Sequence, residues 1–251
     1  MTEPRVAFVS SHARRGGAER YLRQLLRELG PEWSCGVVCL EHGPLVEDLR
    51  ADGIEVSVSD VGRRGRDLAR AGVRLGRLVR SLGTEVVHAN GVKAALACAL
   101  DPRLSRPPLV WVKHDFSWDG IVAAAVALRS RRVVAVSEAV AETFPGPLRR
   151  RVSVVHNGLP PIAADRPRGR RLVLEALGAP ESAPVVALVG RLDRDKGHEE
   201  LLAALPEVVR RRPGTRVAFI GADNPRRPEY AGGLREQLER DGLADAVSFL
   251  G

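Results

Sequence analysis

The chain has 251 residues, 44% of them apolar, which suits two medium domains or one large one and supplies ample material for a buried core. Its net charge of +8 comes almost wholly from arginine, because Lys93, Lys113 and Lys196 are the only lysines, and aromatic residues make up only 4%. With no stacking platform and no recognition motif, the composition argues against a nucleic-acid partner. No apolar run approaches the roughly 18 residues a membrane span requires. The start, Met1-Thr2-Glu3-Pro4, lacks the charged-then-apolar pattern of a signal segment, so the expected location is cytoplasmic. Cys35, Cys39 and Cys98 are too scattered for a disulfide framework and lack companion ligands for zinc, which reads them as core thiols and leaves no metal site expected.

The first expected strand, Val6–Ser10, runs through Ser11 and His12 to Arg15, where Gly16-Gly17-Ala18-Glu19-Arg20 opens a helix. Further short apolar strands fall at Gly36–Leu40, Ile54–Val58, Glu85–Ala89, Leu109–Lys113, Val133–Val136 and Val152–His156, with helical patterns between most of them. Between the third and fourth strands, Arg66, Arg70, Arg74 and Arg77 fall on one face of a helix whose other face carries Leu68, Leu75, Leu78 and Leu82. That basic face fits either plain solvation or a peripheral contact with an anionic lipid surface at the inner membrane face. Alternation of this kind implies right-handed crossovers and a mainly parallel sheet covered on both faces. Ligands bind such sheets at the carboxyl ends of strands, which singles out Ser11, His12, Asn90, His114, Asp115, Ser137, Asn157 and Gly158.

From Leu159 to Pro184 prolines surround a short helical piece, Arg170–Leu177, and a domain boundary is expected there. The expected organisation is a Rossmann-like domain over 1–160, a linker with a short helix over 161–183, and a second Rossmann-like domain over 184–251. The second series runs strand Val185–Val189, helix Gly197–Arg210, strand Arg216–Ile220, helix Glu229–Arg240 and strand Ala246–Leu250, and ends at Gly251. The fold class is therefore α/β, two doubly wound domains with the second stopping after its third strand. Two such domains would form a cleft between their carboxyl ends.

The turn after Val189 carries the strongest chemical signal. Gly190 lets the backbone leave the strand sharply, Arg191 offers a planar fork of donors, and Lys196 adds a point charge where helix N–H groups face outward. The expected ligand is an anion, foremost a diphosphate. Gly16 and Gly17 open a comparable turn in the first half. Each loop taken singly also fits an ordinary strand-to-helix connection that binds nothing.

The segments Gly16-Gly17-Ala18-Glu19-Arg20, Val87-His88-Ala89-Asn90, Val112-Lys113-His114-Asp115, Ala135-Val136-Ser137-Glu138, His156-Asn157-Gly158, and Val189-Gly190-Arg191-Leu192 through Lys196-Gly197 resemble those of the GT-B glycosyltransferases of family 4, in family order. The resemblance implies retaining transfer of a sugar from a nucleotide diphosphate sugar to an acceptor, with no cofactor and no obligatory metal. It places Arg191 and Lys196 on the donor diphosphate, Gly16 and Gly17 over the phosphates or the acceptor, and His114 at the transferred sugar as the catalytic-site histidine. His88 and Asn90 fall at the acceptor-side rim, and Asn90 stands where many relatives carry a histidine. Asp115 is placed to orient the His114 ring, and Asn157-Gly158 to fit backbone beside the donor, although a tight turn explains that pair equally. The acceptor suggested is lipid-linked or a small metabolite.

The family's later pair of glutamates is missing. Glu199 and Glu207 have its spacing but sit in the helix directly after Lys196-Gly197. The expectation is therefore the front part of an active transferase, truncated or split. The competing reading is a non-catalytic subunit completed by a partner chain, and a nucleotide-sugar epimerase is a more distant alternative.

Overall fold

A computed structural model describes residues 5–30, 32–61, 73–77, 79–80, 83–100, 107–225 and 227–251. The chain divides into two compact units, Met1–Pro160 and Pro161–Gly251. In the first, the strands are β1 (Arg5–Ser10), β2 (Ser34–Cys39), β3 (Glu55–Val58), β4 (Val86–Asn90), β5 (Leu109–Lys113), β6 (Arg132–Ala135) and β7 (Val152–Val154). The helices are α1 (Gly17–Glu28), α2 (Pro44–Ala51), α3 (73–77 and 79–80), α4 (Val92–Leu100), α5 (Ile121–Arg129), α6 (Glu138–Glu142) and α7 (Gly146–Arg149).

These strands make one parallel sheet in the order β3-β2-β1-β4-β5-β6-β7. Alternate residues of β1 explain why it is apolar from Val6 to Val9. Val6 and Phe8 join Leu22 and Leu26 of α1 and Leu45 and Leu49 of α2 on one face, while Ala7 and Val9 join Trp111, Val133 and the alanines of α4 on the other. The chain runs outward one way through β2 and β3, then returns to the other side of β1 with β4. The carboxyl ends of β1 and β4 thus flank the topological switch point, where open parallel sheets leave a crevice.

The second unit holds α8 (Arg166–Ala176), β8 (Val185–Val189), α9 (His198–Arg211), β9 (Arg216–Ile220), α10 (Glu229–Arg240) and β10 (Val247–Leu250). Its parallel sheet has the order β10-β9-β8, with Val217 and Phe219 packed against Leu202, Leu205, Leu234 and Leu238. The proline-flanked helix α8 is capped by Asp165, whose carboxylate accepts from the Arg168 N–H at 2.9 Å. Arg170 ties it down by donating to the carbonyls of Glu181 and Ala183 at 2.8 and 2.9 Å.

Some expected bounds shift. The helix expected over Arg170–Leu177 spans Arg166–Ala176, because the Asp165 cap starts it a turn earlier. The strand expected over Val152–His156 stops at Val154, because β6 ends at Ala135 and offers its last carbonyl to Val155. Of the basic helix face, Arg74 and Arg77 are exposed and Leu75 is buried, while Arg66 and Arg70 lie outside the described residues. Among the described residues no helix is long and apolar enough to cross a membrane. Cys39 and Cys98 are buried and Cys35 half-buried, none of them in a disulfide; burial, with the Glu19 and Glu41 charges adding, pushes the Cys39 thiol up to about 12.

Candidate active site

The first unit assembles its polar residues at the switch point. Sheet register sets Ser10 beside Asn90 and Asn90 beside Val112, so the ends of β1, β4 and β5 lie side by side. Asn90 is 1% exposed, and its side chain donates from Nδ2 to the Ala18 carbonyl of α1 at 3.0 Å. His114, one residue past β5, places Nε2 at 2.7 Å from Asn90 Oδ1. Tyr21 of α1 packs edge-on against the His114 ring with centroids 5.0 Å apart, and the buried His88 ring lies between Phe8 at 4.8 Å and Tyr21 at 6.3 Å. Burial pushes the His114 ring down to about 4 against the opposing pull of the Asp115 charge. Burial likewise takes His88 down to about 4, so both rings are neutral at physiological pH.

The glycine turn is asymmetric. A Cβ on Gly16 would run into the Glu19 carboxylate, whereas one on Gly17 would meet nothing within 4 Å. Gly17 is thus not demanded by packing within the protein. Gly16 serves as N-cap of α1, its carbonyl accepting from Arg20 at 2.9 Å.

The loop after His114 is held from beneath. Lys113, 1% exposed, donates from Nζ to the Ser117 carbonyl at 3.0 Å and pairs with Asp119 at 2.7 Å. Asp115 does not hold the His114 ring. Its Oδ1 accepts from the Ser117 N–H at 2.9 Å and from the Ser117 hydroxyl at 2.5 Å, and Asn90 is the residue bonded to the imidazole. Ser137 caps α6 by accepting from the Val140 N–H at 3.2 Å. Asn157 and Gly158 are exposed in the irregular chain beyond β7.

The second unit builds a basic turn. Gly221, with φ of 153°, lets β9 leave its strand against Gly190, since a Cβ there would collide with the Gly190 carbonyl. Gly197, with φ of 81°, ends the single 3-10 turn Arg194–Lys196 and caps α9. At the centre lies Asp193, 7% exposed. Its carboxylate accepts from Arg191 Nη2 at 3.1 Å, Asn224 Nδ2 at 2.7 Å, Arg227 Nη1 at 3.1 Å and the Arg194 N–H at 3.0 Å. Burial alone would raise the Asp193 carboxyl, but the Arg191 and Arg194 hydrogen bonds and the nearby arginine charges bring it below its ordinary value. Lys196 Nζ lies 3.0 Å from Asp195 on the same turn.

Each cation expected to grip phosphate therefore rests on a carboxylate of its own loop. Sequence reasoning did not find Asp193, Asn224 or Arg227 as members of this cluster, because Asn224 and Arg227 arrive from the loop after β9. Glu199 and Glu207 lie on α9, where Glu207 pairs with Arg210 and Arg211.

Two parallel-sheet units with these turns define an α/β protein of the GT-B glycosyltransferase class. The family model of Glycosyltransferase Family 4 matches residues 15–161 and that of Glycosyl transferases group 1 matches residues 169–251, so the chain belongs to Glycosyltransferase Family 4. Among curated relatives, it is 38% identical over 86 residues to the D-inositol 3-phosphate glycosyltransferase of Segniliparus rotundus, covering 34% of this chain and 18% of that one. It is 32% identical over 191 residues to the 2-deoxystreptamine N-acetyl-D-glucosaminyltransferase of Streptomyces fradiae, covering 66% of this chain and 43% of that one. The chain thus spans less than half the length of these two relatives. Among solved structures, Anabaena HepE in complex with UDP and glucose superposes with a TM-score of 0.80 at 24% identity, over 99% of this chain and 69% of that one.

Proposed function

We propose that the chain supplies the donor-diphosphate grip and the catalytic-site histidine of a retaining glycosyltransferase that takes its sugar from a nucleotide diphosphate sugar. The observation that carries this reading is the turn after β8, where Arg191 and Lys196 stand on one loop that ends in the left-handed Gly197 at the start of α9. As the glycosidic C–O bond breaks, negative charge grows on the leaving phosphate, and fixed cations stabilise that charge more than the ground state. Arg191 presents a bidentate fork and Lys196 a point charge, and the first N–H groups of α9 add partial positive charge. The mechanism therefore routes no step through a metal ion.

On this reading the donor displaces Arg191 and Lys196 from their resting carboxylates, while Asp193 keeps Arg227 and Asn224. Gly17 leaves room for close approach of substrate. His114, neutral and bonded to Asn90, contributes a hydrogen bond to the transferred sugar. The fold and family support the reading, and structural relatives described with UDP, glucose and UDP-glucose support a nucleotide-sugar donor.

The test is transfer itself, with nucleotide sugars screened against hydroxylated acceptors and the product anomer assigned by NMR. Product with the donor's anomeric configuration, and a drop of about 100-fold in turnover for Lys196→Ala at unchanged fold, is the expected result. Inverted product, or unchanged turnover in Lys196→Ala, would overturn it.

A further inference from the structure

The position of one proton follows from the hydrogen bonds around Asn90. A backbone carbonyl only accepts, so the atom of Asn90 that meets the Ala18 carbonyl at 3.0 Å must be the amide nitrogen. The other terminal atom, Oδ1, therefore faces His114 Nε2 at 2.7 Å. An amide oxygen has no proton to give, so Nε2 must carry the proton and donate it. In a neutral imidazole the lone pair then belongs to Nδ1, which has no hydrogen-bond partner among the described residues.

This arrangement is held from several sides. Asn90 is 1% exposed, its strand neighbours are fixed by register, and its carbonyl accepts from the Ser11 N–H at 3.1 Å. Helix α1 contributes both the carbonyl that orients Asn90 and the Tyr21 ring that lies edge-on against His114. Asp115, the charged neighbour of His114, is bonded to Ser117 and leaves the ring to Asn90.

We infer that Asn90 is a positioning residue that locks His114 in its Nε2–H tautomer and leaves Nδ1 as a hydrogen-bond acceptor, the edge suited to a hydroxyl donor such as a sugar hydroxyl. A histidine presented in this way receives a hydrogen bond from substrate and does not protonate it. The inference rests on the proposed function only for what the Nδ1 edge meets; the tautomer lock stands on the geometry of the first unit alone.

Two-bond proton–nitrogen correlation spectra of the imidazoles, recorded on the whole chain at neutral pH, test it. The protein has six histidines, and the spectrum of His114→Gln assigns the relevant ring. The expected result is a single Nε2–H tautomer for His114. In Asn90→Ala the ratio of Nε2–H to Nδ1–H falls by roughly tenfold, the equivalent of about 1.4 kcal/mol. Asn90→Asp keeps an acceptor at the same place, so it retains the Nε2–H tautomer and raises the titration midpoint of His114, with Asp115, His88 and Tyr21 as the other nearby titratable groups. A wild-type ring protonated on Nδ1, an equal mixture of tautomers in the wild type, or an unchanged ratio in folded Asn90→Ala would overturn the inference. Loss of nucleotide binding in Lys196→Ala bears only on the donor reading, so the two fail separately.

Discussion

At the scale of single residues, the chemistry of both units depends on who holds whom. Asp193 binds four donors from two loops, Arg191 and Arg194 after β8 and Asn224 and Arg227 after β9, and removing its charge takes away the carboxylate that Arg191 and Arg227 share. Asp193→Asn is expected to cost about 1–3 kcal/mol in denaturant unfolding of the second unit, the penalty for unpairing buried and charged partners; a loss below about 0.5 kcal/mol would show that the cluster is incidental. The cationic turn was legible in the sequence because its members are contiguous from Gly190 to Gly197. The hub was not, since Asn224 and Arg227 meet Asp193 only once β9 pairs with β8. The Asn90–His114 bond was hidden for the same reason: it joins the end of β4 to the residue after β5, and only strand order makes them neighbours. Ser137 had a readable signal that points to structure, a serine directly before a helix opened by glutamate, and it serves as a cap.

At the scale of elements, the ten strands among the described residues were legible as short apolar runs; Leu109–Lys113 is one because both of its faces are covered, whereas Val185–Val189 is apolar although Ala187 and Val189 are exposed on one face. Their ends were less so, since pairing stops where the neighbour stops, as at Val154. The loop after β5 shows what apolar patterning misses. It is pinned by a buried lysine that sequence reasoning treats as part of a strand, and Trp118 within it has a φ of 57°, the one positive value outside glycine among the described residues. Lys113→Met keeps the stem but loses the bonds to Ser117 and Asp119. Its expected effect is a loss of about 1–3 kcal/mol in the chemical denaturation of the first unit, with faster amide exchange in residues 114–120. Exchange rates unchanged from wild type would mean that the loop holds its shape without the clamp.

At the scale of the whole molecule, buried neutral histidines make stability depend on pH. His88 and His114 titrate near 6.5 when unfolded and at about 4 when folded, so the unfolded chain binds more protons between those values. Stability is then fully present above pH 6.5 and lost as pH falls toward 4, by up to about 3 kcal/mol per ring. Denaturant midpoints across that range should fall more shallowly in His88→Asn than in wild type; parallel curves would show that His88 does not carry the effect. A net charge of +8 favours the approach of anions over longer distances, so on the proposed function the association rate of an anionic nucleotide decreases with added salt. Rates unaffected by salt would show that long-range charge does not steer the encounter.

If Arg191 and Lys196 hold a diphosphate, the affinity of the whole chain for UDP, measured by calorimetry in wild type and in the Arg191→Ala/Lys196→Ala double variant, must depend on them. Measurable binding is expected in the wild type and at least tenfold weaker binding in the variant, the worth of two charge-assisted contacts of a diphosphate. Equal affinities in two equally folded proteins would contradict it.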